Sequence, residues 1–538
     1  MKRALYTIMI GCCMASSLSS QNLDDVVRFN KRELTGTSRS LAMANAFGAL
    51  GGDLSSLSIN PAGIAVYRSS EFAFTPSISL NQSTATYNNF VSKDDKYSFP
   101  FNQAGGVTTN RPLREKDKGL ISTHFGFTYN RTADFNENTS MLIGRGVTDG
   151  DYNIDGQISD ARTLLSVIRN EAHGYYDNNG NFIPINATPE NLRGRARWAY
   201  DTYMLDPLFE DGTHYFSQYE DVIDYDDGTS TVYNRNVNGI DQYNIIERDG
   251  YSGEYGFTFG ANISHVLLLG TSVNIQSFRY EQTESFREVN VNSFDPSGPK
   301  DMDYFDAYNK LNQKGLGINA KFGMILNLHP IRLGASFHTP TFMEVDEEYY
   351  SGIDSYLVDF KNYNSSSNVS EFTYSYRTPY RAQGSAAIVL GKFALLSFDY
   401  EMTDHTSSKF TSKDGYATLF NQINEDINNQ MKITHDFKAG IEIRPVPYFA
   451  LRAGAAYFDS PIKDEFVDLE LTKWMGTTGI GIRSKNFFFD VAYAYKFNED
   501  NYYLNTSEGA MLEGLSFNEP IALEYRNHQA SFTFGWKF

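Results

Sequence analysis

Gly315-Leu316-Gly317-Ile318-Asn319-Ala320 matches a loosened dinucleotide fingerprint, in which closely spaced glycines let backbone N–H groups approach a pyrophosphate. That chemistry needs a strand before the glycines and a helix after them. Here Leu316, Ile318, Ala320, Phe322, Met324 and Leu326 continue as one strand face, so the match reads as coincidence. Asp301, Asp303 and Asp306, with the run Asp221 to Asp227, offer carboxylates for calcium, but no full calcium-loop spacing appears and solvated acidic loops explain them. The nine histidines are scattered. His435 and His528 fall on a parity that points to lipid or an interfacial belt, and nothing forms a haem motif. Cys12 and Cys13 are the two cysteines, and both lie in the expected export signal, so the processed chain has no disulfide, thiolate metal site or cysteine nucleophile. No G-x-S-x-G, H-E-x-x-H or phosphate-cradling loop is present; no cofactor, metal or catalytic residue is assigned, and an enzyme is disfavoured.

The elements that would position any site are strands. Aromatics make up 15% of the 538 residues, yet the chain is polar on average and carries a formal charge of −19, which argues against nucleic acid. Lys2 and Arg3, the apolar stretch Ala4 to Met14 and the small residues Ser16, Ser17, Ser19 and Ser20 predict a signal peptide over 1–20, cut before Gln21. No later segment supplies the roughly 20 consecutive apolar residues of a membrane helix.

Period two recurs instead. Ala530, Phe532, Phe534, Trp536 and Phe538 share one face, and Ser531, Thr533, Gly535 and Lys537 the other. At 433–444, Ile433, Phe437, Ala439, Ile441 and Ile443 alternate with Thr434, Asp436, Lys438, Glu442 and Arg444. The pattern predicts about fourteen strands near 71–82, 98–109, 119–132, 253–264, 266–282, 314–327, 331–344, 377–391, 393–408, 432–445, 448–458, 472–484, 486–498 and 525–538. Connections after even strands are short and those after odd strands long, above all 133–252, which is expected to hold one short helix near Asp160 to Ala172. Short turns on one side and long loops on the other are the rhythm of an outer-membrane barrel. The expected fold is therefore all-β, a transmembrane antiparallel β-barrel over 71–538 with long extracellular loops, in the bacterial outer membrane among its lipids.

Residues 21–70 do not alternate. A helix rich in alanine is expected from Ser38 to Leu50, ended by Gly51-Gly52, and Asn60-Pro61-Ala62-Gly63 follows just before the first strand. This segment resembles the N-terminal plug, or hatch, of the FadL family. The resemblance implies a plugged fourteen-stranded barrel for passive uptake of hydrophobic compounds such as long-chain fatty acids. It also implies a kink in an early strand that opens sideways; Gly105-Gly106 is the local candidate, although paired glycines equally make room for a plug. Phe534, Trp536 and Phe538 resemble the terminal aromatic signal read by barrel-assembly machinery. The alternative is a non-transporting barrel acting as scaffold for secretion or surface lipoproteins, since fold does not settle function.

Overall fold

The computed structural model describes residues 23–111, 118–147, 163–176, 182–184, 188–207, 215–224, 230–234, 239–291, 302–357, 361–412, 419–466, 472–502 and 520–538. The expected signal, Cys12, Cys13 and Asp301 lie outside them. The chain forms a closed antiparallel barrel of 14 strands. They are β1 (Glu71–Tyr87), β2 (Phe90–Ser98, resuming as Phe101–Asn110), β3 (Leu120–Asp134, resuming as Glu137–Val147), β4 (Ile240–Ile263), β5 (Leu267–Asn290), β6 (Met302–Leu328) and β7 (Ile331–His338, resuming as Phe342–Leu357). Then follow β8 (Ser370–Arg377, resuming as Arg381–Leu390), β9 (Ala394–Asp404, resuming as Lys409–Ser412), β10 (Ile433–Val446), β11 (Phe449–Phe458), β12 (Lys473–Arg483), β13 (Phe487–Tyr502) and β14 (Ile521–Lys537). Each strand pairs with the next, and β14 closes on β1 from Glu71↔Lys537 to Thr86↔Ala522.

Alternation decides what each face meets. On β10, Ile433, Phe437 and Ile441 are exposed, while Thr434, Lys438 and Glu442 are buried in the lumen. Phe127, Phe257, Ile318, Phe398 and Ile480 continue the exposed apolar belt on other strands. Such a belt is unfavourable in water and suits lipid. His435 and His528 sit at its edge, where the hydroxyls of Tyr400 and Tyr493 each meet the Nδ1 of the partner histidine at 2.7 Å.

Several strands run further than the alternation predicts. β1 and β2 meet in a tight hairpin with Asn88 at φ 50°, so the first outer connection is short. β3 and β4 extend to Val147 and back to Ile240, which shortens the expected loop 133–252. Beyond the lipid both faces meet protein or water, so the apolar-outward signal fades there. The remainder of that loop holds the expected helix, at Leu164–His173, and an unexpected one at Gly194–Asp201. Together with Tyr215 they pack Leu164, Ile168 and Ala199 against Ile240, Phe286 and Phe305, capping the long-loop end of the barrel.

Inside lies the segment preceding β1. Helix α1 (Leu23–Asn30) occupies the long-loop half, and α2 (Ser38–Leu41), α3 (Ser56–Ile59) and a 3-10 turn (Pro61–Val66) fill the short-turn half. The helix expected over Ser38 to Leu50 stops after one turn. Ala44 and Asn45 take φ of 51° and 53°, and the Asn45 amide donates to the Thr35 carbonyl at 2.7 Å, folding the chain back.

Candidate functional site

The short-turn half of the lumen is closed by backbone-to-backbone approach. A Cβ on Gly323 of β6 would lie 2.0 Å from Oδ1 of Asn60, one on Gly270 of β5 2.3 Å from the Pro61 backbone, and one on Gly334 of β7 2.5 Å from the Gly48 carbonyl. Gly440 and Gly454 meet the Met43 backbone in the same way, and Gly479 lies against the Ala42 side chain. Wall glycines therefore let the plug reach main-chain contact with the strands.

Asn60-Pro61-Ala62-Gly63 forms the latch of this contact. Asn60 caps the 3-10 turn by accepting from the Ala62 N–H at 3.1 Å, and its Nδ2 donates to the carbonyls of Gly48, Met324 and Ala335 at 2.7, 3.2 and 3.3 Å. Pro61 opens the turn, where its missing N–H costs nothing. Gly63 packs on Gly51, so that a Cβ there would come within 3.0 Å of the Gly51 Cα.

Lumen side chains satisfy the rest of the plug backbone, as burial demands. Asp399 accepts from the Gly48 N–H at 2.9 Å, Thr533 from the Ser38 N–H at 2.7 Å, and Arg332 donates to the Leu50 carbonyl at 2.7 Å. Lys321, ion-paired with Glu254, donates to the Ser58 carbonyl at 3.1 Å. Arg39 reaches from α2 to Glu442 at 3.1 Å, and Arg452 binds both Glu442 and Asp490 at 2.6 Å. Higher up, Glu33 is flanked by Lys496 at 2.6 Å and Lys31 at 3.6 Å. Burial alone would raise its carboxyl, but Lys496 and Lys31 outweigh it and hold the pKa down at about 2.

Above this charged layer the lumen turns aromatic. Phe29 of α1 inserts its ring 4.9 Å from Phe278 and 4.8 Å from Tyr376, with Phe410 at 6.3 Å. Phe135, Tyr280, Tyr374 and Phe420 complete a buried chamber. One rim is polar: Gln313 donates to Asp25 at 3.0 Å and to Glu347 at 2.9 Å, and Arg28 lies 4.1 Å above the Tyr280 ring. None of these chamber residues was singled out from the sequence. The available signal was parity: Phe278 and Tyr280 occupy inward positions of β5 that Ser272 and Asn274 hold lower down.

The discontinuity expected at Gly105-Gly106 lies elsewhere. Both glycines are paired without interruption, to Ala73 and Phe72 of β1 and to Thr128 and Phe127 of β3, and a Cβ at either would meet those strands and not the plug. The break falls at Phe99-Pro100, opposite a register shift between Thr75 and Pro76, because neither proline can donate to the ladder. Beyond it Phe90–Ser98 pairs with β1 alone while Glu137–Val147 pairs with β4, leaving a seam closed by side chains. Ser140 donates to Asp94 at 2.6 Å, and the Leu142 N–H to Ser92 at 3.1 Å. Just inside, Lys31, Glu33, Asn81, Asn102 and Arg131 line a cavity of about 20 Å³, room for one water.

Phe534 and Trp536 stack on Phe74 at 5.4 and 6.0 Å, and Phe538, 77% exposed, donates its N–H to the Ser70 carbonyl at 3.0 Å.

No protein-family profile and no curated relative matches this sequence. Among solved structures, a FadL homologue from Pseudomonas aeruginosa matches at 12% identity, covering 94% of this chain and 99% of its own, with a TM-score of 0.50. The toluene transporter TodX of Pseudomonas putida matches at 11% identity over 94% and 99%, TM-score 0.45. The monoaromatic hydrocarbon channel CymD matches at 11% over 94% and 97%, TM-score 0.44. The fold is thus that of a FadL-type barrel with its plug.

Proposed function

We propose that this barrel lets hydrophobic molecules, long-chain fatty acids among them, pass the bacterial outer membrane passively. The observation that carries the reading is the aromatic chamber around Phe29: a cluster of rings above the charged layer of the lumen, with a side chain of the plug segment at its centre. An incoming alkyl or aromatic group would replace Phe29, whose burial is worth roughly 1.5–3 kcal/mol, and the rim of Arg28, Gln313 and Glu347 would orient a polar end. Displaced from the chamber, α1 would loosen the segment leading to the plug below. The likeness to the FadL homologue supports the architecture that this route requires.

The test is uptake of labelled oleate and toluene by cells expressing the chain or its Phe29→Asp variant. The charge should keep α1 out of the chamber and change uptake severalfold, with surface abundance unchanged. Uptake equal to that of cells lacking the barrel, for both compounds, would overturn the reading.

A further inference from the structure

At the short-turn mouth, beneath the plug, lies a cavity of about 350 Å³. Seven cationic side chains line it, against two carboxylates, Glu71 and Glu442. In a chain with 65 acidic and 46 basic residues, this local excess has the opposite sign to the whole.

Three of the seven cations are compensated. Arg39 and Arg444 share Glu442, and Lys537 faces Glu71 at 3.6 Å. The other four, Arg68, Arg332, Lys392 and Arg483, have no carboxylate within ion-pair distance among the described residues. Arg332 donates to neutral oxygens, of Asn327 at 3.1 Å and of Leu50 at 2.7 Å, which satisfies two of its N–H groups and leaves its charge unbalanced. The buried Nε of Arg483 has no hydrogen-bond partner among these residues. A buried charged donor without an acceptor is unfavourable, and an incoming oxygen would relieve it.

Four uncompensated cations around one concavity attract anions, and their number selects among them. A monovalent anion neutralises one of the four. A phosphate group that is free or esterified once carries close to two negative charges and several strong acceptor oxygens directed apart, so donors on different walls can share it. Guanidinium forks match such oxygens in pairs. The walls belong to different parts of the fold: Arg68 stands in the plug segment just before β1, Arg332 on β7, Arg483 on β12 and Lys392 in the turn between β8 and β9.

We propose that this vestibule binds a phosphate dianion, and that the bound anion clamps the plug segment to the barrel wall. Bound phosphate would draw Arg68 towards Arg332 and Arg483, in place of the repulsion among them. The site concerns how the plug is held and is independent of what the barrel carries. Free inorganic phosphate and the phosphomonoester headgroup of a lipid offer the same chemistry.

The test uses the full barrel in dodecyl maltoside, a detergent without phosphate, at constant ionic strength with chloride as the balancing anion. It is titrated calorimetrically with inorganic phosphate and, separately, with dihexanoyl phosphatidic acid below its micelle-forming concentration. The variants are Arg483→Gln and the double Arg68→Gln/Lys392→Gln, the latter at two exposed positions, and heat-modifiable migration checks that each is folded. At least one of the two ligands should bind the parent, and both variants should weaken that binding about tenfold. The tighter ligand identifies the source, free anion or lipid headgroup. Hydrogen exchange of residues 64–69 should slow severalfold when the parent is saturated, and much less in the variants. Binding of neither ligand, or equal binding by the parent and both variants, overturns the site. Binding without slower exchange overturns the clamp.

Discussion

The side-chain amide of Asn60, in the plug, donates to the main-chain carbonyl of Met324, in the barrel wall, at 3.2 Å. One residue thereby couples the fold of the plug to its seat, since the same amide holds Gly48. Replacing Asn60 with Ala removes these bonds and the cap on Ala62, at about 0.5–1.5 kcal/mol for each hydrogen bond lost. The barrel should still assemble, judged by heat-modifiable migration, but planar-bilayer recordings should show frequent brief openings absent from the parent. Gly323→Ala should act in the same direction by pushing on Asn60. Silent bilayers for both variants would show that the plug is held by other contacts.

Deleting residues 23–66 removes the plug outright. The lumen so exposed is lined by Lys321, Lys438, Glu442, Arg452 and Asp490, a surface that water and ions wet readily. Steady conductance to small ions should result, together with lost uptake of long-chain fatty acid.

Glu442 compensates three arginines in a buried site. Glu442→Gln should destabilise by about 3–5 kcal/mol, since the cations remain buried without their partner. Urea unfolding in micelles measures this. The double variant Arg39→Gln/Glu442→Gln should cost less than the two single effects added, because each removes the same interaction.

Much of the barrel was legible because lipid and lumen impose opposite demands on neighbouring residues: Ile441 outside, Glu442 inside. Where those demands lapse, the reading lapsed too, as with Phe90–Ser98, both of whose faces are at least partly exposed. Asn60-Pro61-Ala62-Gly63 stood out locally because a cap and turn are encoded by adjacent residues. The partners of Asn60 did not, for Met324 is 264 positions away and is joined through its backbone, which has no sequence signature. The glycines of β2 drew attention as a weak point, but each still donates its N–H, and the prolines at 76 and 100 do not.

The Glu33 carboxyl gives a pH dependence with a definite sign. Its pKa falls from an ordinary 4.5 to about 2, outweighing burial through Lys496 and Lys31, so its contribution is fully present above pH 4.5 and is lost as pH falls through about 2. Hydrogen-exchange protection of residues 31–37, corrected for intrinsic rates, should hold steady from pH 7 to 5 and decline from 4.5 downward. Glu33→Gln should lower protection at neutral pH and flatten that decline.

Phe538 separates recognition from stability. Its ring is 77% exposed, so deleting it should leave refolding into detergent micelles unchanged while reducing the membrane-integrated fraction in cells severalfold. An equal fall in both assays would make the residue a packing element and not an assembly signal.

Thr533 of β14 accepts from the N–H of Ser38 at 2.7 Å and meets the hydroxyl of Thr75 of β1 at 2.8 Å. The last strand made therefore completes both the cylinder and the receptacle for the first folded segment, across 495 positions of chain. Joining points so distant along a polymer carries the largest closure entropy in the molecule, and it grows only logarithmically with that distance. Once Thr75 meets Thr533, bringing Ser38 to the same side chain closes only the short stretch between Ser38 and Thr75. Zipping the seam thereby lowers the entropic cost of seating the stopper, and a chain cut short before β14 is left with open sheet edges and without the Thr533 seat.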